Sequence, residues 1–141
     1  MATIAVLGAG LGGVLAAYEL KAEASASDRV ILISKGDTYH FVPSNPWVAV
    51  SWRERAAIEV QLPSVMKRKG IEFLSMGAKR VHPAENRLEL SDGTSLVYDY
   101  LVIATGPDLA FDEIEGLGPE RFTQSICHVD HAERTATAFD L

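Results

Sequence analysis

The glycines between residues 8 and 13 are the feature of the sequence that most directly indicates chemistry. Gly8, Gly10 and Gly13 match the pattern G-x-G-x-x-G, which follows the apolar run 4–7 and precedes a segment rich in Ala, Leu and Glu. The first glycine permits a tight turn, the second lets a pyrophosphate approach the backbone, and the third lets a helix pack closely on a strand. Free N–H groups at the helix N-terminus attract phosphate. The pattern predicts a dinucleotide site, and a purely structural turn is the simpler alternative.

The position after the second predicted strand bears on which dinucleotide is bound. It often carries an acidic residue that binds ribose hydroxyls, but here it carries Ser34, followed by Lys35. Such a pair suits the 2′-phosphate of NADP, so a non-catalytic NADP-binding module is one interpretation. The segment 98–107, a strand that ends in Ala-Thr-Gly-Pro, favours a flavin dinucleotide instead.

The elements around these residues predict an α/β fold with a parallel sheet. A helix is expected from Val14 to Ala24. Strand, glycine turn, helix and strand within about 30 residues form a βαβ unit, whose strands are parallel. Alternating residues between Ala78 and Tyr98, with Asp92-Gly93 as a turn, predict a small antiparallel meander. Three short apolar runs indicate strands buried on both faces, 4–7, 30–33 and 101–104, and residues 71–74 predict a further strand.

Three other segments connect or extend these elements. Residues 35–46 contain Gly-Asp and two prolines, which predict irregular chain. Pro63 predicts the first turn of a short helix, and Gly70 its end. Asp130 to Glu133 resembles a capping box that opens a helix with Ala132, Ala136 and Phe139 on one face. This helix is expected to reach Leu141 without a C-cap, so we expect the chain to be a piece of a longer one.

Composition and charge exclude several classes of protein. The chain has 141 residues, of which 48% are hydrophobic and 23% are charged, and this composition excludes a disordered protein. From residue 71 onward it carries 5 basic and 13 acidic residues, which argues against a nucleic-acid surface. One cysteine excludes an internal disulfide and a Cys-based metal cage. No apolar run approaches the ~20 residues that span a bilayer, and the start lacks a signal peptide's basic segment. We therefore expect a soluble, intracellular domain.

Two further blocks of the sequence, residues 39–55 and 124–133, narrow the resemblance to one family of flavoproteins. In flavoproteins with two dinucleotide-binding domains, a G-x-G-x-x-G turn and a strand ending in Ala-Thr-Gly together bind FAD. Within that superfamily, residues 39–55 and 124–133 look like the sulfide:quinone oxidoreductase family. Residues 42–47 lack the cysteine pair of the disulfide reductases, so a dithiol relay is excluded. Members of the family are much longer, so the resemblance implies that residues 1–141 are the N-terminal segment of a Rossmann-type FAD-binding domain.

The resemblance also implies where FAD is bound. The pyrophosphate is expected at the glycine turn, the adenosine ribose at Ser34 and Lys35, and adenine at the backbone of Ala78. Val42 and Pro43 are expected to approach the flavin ring, and the end of the last strand to complete the cleft. The whole set of expected FAD contacts is Gly8, Ala9, Gly10, Leu11, Gly12, Gly13, Ser34, Lys35, Val42, Pro43, Ala78, Ala104, Thr105, Gly106 and Pro107.

Cys127 matches the first of three redox cysteines of the family. In the family reaction, cysteine thiolates take up sulfide as persulfide, and two electrons pass through FAD to a membrane quinone. A lone cysteine is in general more often a small buried hydrophobe, which is the alternative here. A helix that opens at Asp130, and protonated His128 or His131 beside it, favour the thiolate. We therefore expect Cys127 to be catalytic, and a metal site at Cys127, His128 and His131 is rejected for want of a fourth ligand.

The resemblance implies sulfide and a membrane quinone as substrates of the full-length protein, and no nucleic acid. The full-length protein is expected to be peripheral on the membrane, with contact only through the absent C-terminal part, and a homo-oligomer is left open. The 141 residues alone are expected to be inactive. An alternative within the superfamily is another flavin-dependent reductase, such as a type II NADH:quinone reductase.

Overall fold

The computed structural model describes residues 1–139. Over this range the chain forms nine strands and four α-helices, joined by loops and short 3-10 turns. The strands are β1 (Thr3–Leu7), β2 (Arg29–Ile33), β3 (Thr38–His40), β4 (Glu59–Gln61), β5 (Glu72–Leu74), β6 (Ala78–His82), β7 (Arg87–Leu90), β8 (Ser95–Val97) and β9 (Tyr100–Ile103). The helices are α1 (Leu11–Glu23), α2 (Asn45–Ala49), α3 (Leu62–Lys69) and α4 (Val129–Phe139).

The chain divides into two compact units. The first unit comprises Met1–Tyr39 and Gln61–Gly106, and the second comprises His40–Val60 and the chain from Pro107 onward. The strands form a four-stranded sheet, a three-stranded sheet of β6, β7 and β8, and a two-stranded sheet of β3 and β4.

A parallel sheet with the strand order β5-β2-β1-β9 forms the centre of the first unit. β1 pairs with β2 on one side, from Thr3 opposite Arg29 to Leu7 opposite Ile33, and with β9 on the other. All three strand pairs of the sheet are parallel. The strand order reverses between β1 and β9, and in open sheets of this kind ligands bind at the carboxyl ends of the strands at such a point. The predicted α/β fold with a Rossmann-type parallel sheet is confirmed.

The central strands β1 and β2 are largely buried and pack on both faces, as their continuous apolar runs predict. The prediction that β9 is buried is wrong, because β9 lies at an edge of the sheet and its Ile103 is 63% exposed. Because side chains alternate along a strand, Val6 and Leu32 face one side, where they pack against α1 and α3. Ala5 and Ile31 face the other side, where they pack against the meander through Leu88. The second unit has a smaller core, whose buried members are Val48, Ala49, Ile58, Val129 and Ala132.

Several predicted elements are confirmed with small shifts of their ends. α1 begins at Leu11 rather than Val14, because Gly10 adopts an extended conformation and its carbonyl accepts the first helical hydrogen bond, from Val14 N at 3.0 Å. Pro63 lies in the first turn of α3, and Gly70 ends that helix in the left-handed conformation, with φ of 67°. The predicted meander is present as antiparallel β6, β7 and β8.

Two predictions about local structure are wrong. Residues 35–46, predicted to be irregular, contain β3 and the start of α2, because Pro46 lies in the first turn of α2, where its missing N–H costs no hydrogen bond. α4 begins at Val129, so Asp130 lies within the helix rather than capping it. Phe139 is 70% exposed, whereas Ala132 is buried. The prediction that the helix reaches Leu141 lies outside the described residues.

Candidate functional site

Two glycines of the turn after β1 are required by packing within the first unit. Gly8 has a positive φ of 104°, and a Cβ added to it would lie 2.3 Å from the carbonyl oxygen of Ala104. A Cβ added to Gly13 would lie 1.8 Å from the carbonyl oxygen of Gly8. No other residue type fits at these distances, so Gly8 and Gly13 bring the turn, the end of β9 and the start of α1 into contact.

The other two glycines of the turn face open space. Among the described residues, a Cβ added to Gly10 or to Gly12 would meet no atom within 4 Å apart from adjacent residues and the backbone of its own helix, and neither glycine has a positive φ. Packing and backbone conformation therefore do not explain why these two positions are glycine. Beside them, no described side chain caps the N-terminus of α1, and its first turn carries no acidic residue. The uncapped N–H groups and the positive end of the helix dipole thus lie beside two glycines whose Cβ positions are open, an arrangement that fits a diphosphate group.

The remaining predicted contacts of the first unit follow the ends of its strands. Ser34 follows β2 directly, and its N–H donates to the Leu74 carbonyl at 2.8 Å. Lys35 is exposed, and its backbone bridges to Met76, two residues before Ala78 begins β6. Ala104 follows β9, and its N–H donates to the Leu7 carbonyl at 2.8 Å, while Thr105 and Gly106 are exposed beyond it. The structure thus brings the glycine turn, Ser34 and Ala104 to one edge of the sheet, because carboxyl ends of parallel strands lie at the same edge.

The second unit contains the predicted contacts Val42, Pro43 and Pro107, all of which are exposed. Val42 and Pro43 lie in a 3-10 turn, Val42–Ser44, immediately before α2. The hydroxyl oxygen of Ser44 is buried and accepts a hydrogen bond from Arg53 Nη1 at 3.0 Å. The Arg53 guanidinium also stacks on the Trp47 ring, 4.3 Å from its centroid. These contacts fix the shape of the turn that presents Val42 and Pro43 to the outside.

Cys127 lies in the second unit, two residues before α4 begins, and it is exposed. This exposure contradicts the alternative that Cys127 is a small buried hydrophobe. Its N–H donates to the Ser125 hydroxyl at 3.3 Å. The rings of His128 and His131 stack edge to face, with centroids 5.2 Å apart. Within residues 1–139, no group of three His, Cys, Asp or Glu side chains is placed to hold a metal ion.

Arg55 is the centre of an ion network that sequence reasoning missed. Its guanidinium donates to Glu59 on one side and to Asp130 and Glu133 of α4 on the other, with a distance of 3.0 Å to Glu133. The His40 ring is partly buried and also contacts Glu59, at 2.9 Å. The hydrogen bond from Arg55 lowers the pKa of the Glu59 carboxyl. The network ties the first turn of α4 to the segment before β4.

Replacing Arg55 with glutamine is expected to destabilise the protein by about 1 kcal/mol, since exposed ion pairs contribute little individually and more as a network. The pKa of the Glu59 carboxyl is lowered in the folded state from an ordinary value of 4.5. The stabilisation by the ion network is therefore present above pH 4.5, and it is lost as the pH falls through the lower pKa of the folded protein. Thermal unfolding at pH 7 and below pH 4.5 measures the difference, with Arg80→Gln, at an exposed arginine, as control. An equal loss for both variants at pH 7 would contradict the network.

No helix within the described part of the chain is both long enough and apolar enough to cross a membrane. This finding concerns residues 1–139 alone.

Comparisons with known proteins agree with the sequence resemblance. The sequence profile of the family described as pyridine nucleotide-disulphide oxidoreductase matches residues 2–138. The sulfide-quinone reductase of Aquifex aeolicus is 36% identical over 132 residues, which cover 94% of this chain and 30% of that protein. The mitochondrial sulfide:quinone oxidoreductase of Mus musculus is 27% identical over 84% of this chain and 26% of that protein. The chain therefore spans less than a third of the length of these relatives.

Solved structures give the same result for the fold. The X-ray structure of the sulfide:quinone oxidoreductase from Aquifex aeolicus aligns with 99% of this chain and 32% of its own, with a TM-score of 0.89 and 33% identity. NDH2 from Plasmodium falciparum, solved in complex with NADH, aligns with 98% of this chain and 28% of its own. Its TM-score of 0.75 at 21% identity indicates a common fold alone. The resemblance to sulfide:quinone oxidoreductases is confirmed.

Proposed function

Since the chain belongs to the pyridine nucleotide-disulphide oxidoreductase family, we propose that it is the N-terminal FAD-binding part of a flavoprotein that oxidises sulfide and reduces a quinone. The observation that carries the cofactor assignment is the open space at Gly10 and Gly12, beside the uncapped N-terminus of α1. The substrates are proposed from the similarity to sulfide-quinone reductase, which extends over 94% of this chain.

In this proposal the backbone amides at the start of α1 hold the FAD diphosphate, because they are free and lie at the positive end of the helix. Ser34 and Lys35 border the adenosine ribose, and the backbone of Ala78 meets adenine. Ala104, Thr105, Gly106 and Pro107 line the cofactor, while Val42 and Pro43 approach the flavin ring. FAD, when bound, supplies the transfer of two electrons from sulfide to quinone.

Cys127 is proposed to act on sulfide through its exposed Sγ. A thiolate is the form of cysteine that attacks or carries sulfur, so the Cys127 thiol must lose its proton to react. Its exposure leaves Sγ accessible to sulfide, which a buried thiol would not be. Because a quinone is lipid-soluble, we propose that the full-length protein works at a membrane surface. The contact is then made by parts outside these 141 residues, which alone are inactive in this proposal.

Two other functions were expected as alternatives. A type II NADH:quinone reductase is not favoured, because the likeness to NDH2 at 21% identity concerns the fold alone, whereas the sulfide-quinone reductase of Aquifex aeolicus shares 36% identity with this chain. The exposed Lys35 after Ser34 supports an NADP-binding module, because a lysine can pair with a 2′-phosphate. The strand β9 with its Ala-Thr-Gly end, which belongs to the flavin pattern, argues against that module.

The cofactor assignment is tested on the purified full-length protein. We expect it to show flavin absorbance, and to release FAD rather than FMN when it is denatured, because only a dinucleotide has a diphosphate to place at α1. Chromatography of the released cofactor measures this. Release of FMN, or no flavin even after incubation with FAD, would contradict the proposal, and retention of NADP instead would favour the NADP-binding module.

A further inference from the structure

Asn45 is a polar residue buried in the second unit, at the first position of α2. None of its surface is exposed, and its side-chain amide donates from Nδ2 to the carbonyl oxygen of Ile126 at 2.9 Å. Ile126 immediately precedes Cys127 in the chain. A single buried side chain thus bonds to the backbone next to the cysteine, from a position 81 residues earlier.

The orientation of this amide follows from its partner. A carbonyl can only accept, so Nδ2 rather than Oδ1 must face Ile126. Oδ1 is buried and has no hydrogen-bond partner among the described residues. A buried amide with one unmade bond costs free energy, which offsets part of what the bond to the Ile126 carbonyl contributes to stability. The bond nevertheless fixes the position of that carbonyl relative to the start of α2.

The hydrogen bond of Asn45 joins the residue directly before Cys127 to a distant part of the chain. One residue further back, the Thr135 hydroxyl lies 2.9 Å from the Ser125 carbonyl and 2.8 Å from that of His131, so its one proton is shared between them. The Cys127 side chain itself is exposed. Asn45 also follows directly after the Val42–Ser44 turn, which contains Val42 and Pro43.

We propose that Asn45 is a positioning residue that fixes Cys127 relative to the Val42–Ser44 turn. The inference rests on the proposed function, in which that turn approaches the flavin ring and Cys127 acts on sulfide. One buried hydrogen bond then sets the separation of the two groups, and a loosened segment lowers the fraction of molecules in which Sγ is correctly placed.

The test uses full-length protein with Asn45→Ala, Asn45→Asp and, as matched control, Gln124→Glu. Gln124 is an exposed amide in the same segment, so its replacement adds the charge of the aspartate variant without removing a buried bond. For Asn45→Ala we expect FAD content like that of the control, and a roughly tenfold slower reduction of the flavin by sulfide. Hydrogen exchange of the peptide that contains Cys127 is expected to be faster than in the control.

The aspartate variant supplies a signature that a purely structural role would not give. Burial raises the pKa of the introduced carboxyl, and its protonated form can donate to the Ile126 carbonyl as the amide does. The guanidinium of Arg53, which is bonded to Ser44, favours the charged form of the introduced carboxyl and so opposes this rise in its pKa. Asp130 and Glu133 of the adjacent α4 are paired with Arg55. The rate of Asn45→Asp relative to wild type is therefore expected to rise as pH falls, whereas the relative rate of Asn45→Ala stays constant.

The outcomes separate this inference from the proposed function. If wild-type flavin is not reduced by sulfide, the proposed function is wrong, and hydrogen exchange still decides whether Asn45 holds the segment. If wild type is active and both Asn45 variants match Gln124→Glu in rate, pH profile and exchange, the inference is overturned. Slower flavin reduction with unchanged exchange also overturns it, because the segment would then be held without Asn45.

Discussion

Full-length protein in which Gly10 is replaced by valine is expected to keep its fold and to lose FAD. Gly10 has φ of −75° and an extended conformation, which valine adopts readily, and within residues 1–139 no atom beyond its chain neighbours lies within 4 Å of its Cβ position. The branched side chain would instead occupy the space proposed for the diphosphate, beside the free amides of α1. We expect FAD to bind at least about 100-fold more weakly, which corresponds to about 3 kcal/mol.

Gly13→Ala provides the matched control for this prediction. Its Cβ would lie 1.8 Å from the Gly8 carbonyl oxygen, so this variant should lower thermal stability or fail to fold, unlike Gly10→Val. Circular dichroism and thermal unfolding monitor the fold, and equilibrium dialysis with FAD measures the affinity. Wild-type affinity in a folded Gly10→Val protein would show that the glycine turn is only structural.

Replacing Cys127 with alanine is expected to slow sulfide oxidation by at least about tenfold, or about 1.4 kcal/mol, while FAD stays bound. The change removes Sγ, which is proposed to act on sulfide, and it alters none of the glycines or backbone amides of the first unit. Because Cys127 is exposed, its truncation leaves no cavity in the core, and we expect little change in thermal stability. Turnover per bound flavin measures the effect.

Cys127→Ser is the control for the shape of the side chain, since it replaces only sulfur by oxygen. We expect it to be as slow as the alanine variant, because a hydroxyl at this position is not ionised and does not carry sulfur. Unchanged turnover per flavin in both variants would remove Cys127 from the proposed mechanism.

The first unit could be predicted well from the sequence because its determinants are local. A glycine turn, a helix and two continuous apolar runs lie within the first 33 residues, and each constrains the backbone near its own position. The βαβ unit predicts that β1 and β2 are parallel, whereas the places of β5 and β9 in the sheet come from the structure. The same sequence signal does not distinguish Gly8 and Gly13, which are required by packing, from Gly10 and Gly12, which face open space.

The second unit could be predicted less well because distant polar contacts determine it. Arg55 bonds to Asp130, 75 residues later, and Asn45 bonds to Ile126, 81 residues later. Because the two residues of such a pair are so far apart in the chain, no helical or strand periodicity in the sequence links them. Asp130, which the sequence predicts as the start of a capping box, instead lies within α4, and its carboxylate accepts a hydrogen bond from Arg55. The FAD contacts and the role of Cys127 stay predictions, which rest on resemblance and on the geometry of each unit.

Anaerobic titration of the full-length flavoprotein with sulfide tests the central claim most directly. We predict that sulfide bleaches the visible flavin absorbance, that a quinone added afterwards restores it, and that NADH added in place of sulfide has little effect. Bleaching by NADH but not by sulfide would contradict the claim, and would assign the protein to the NADH:quinone reductases instead.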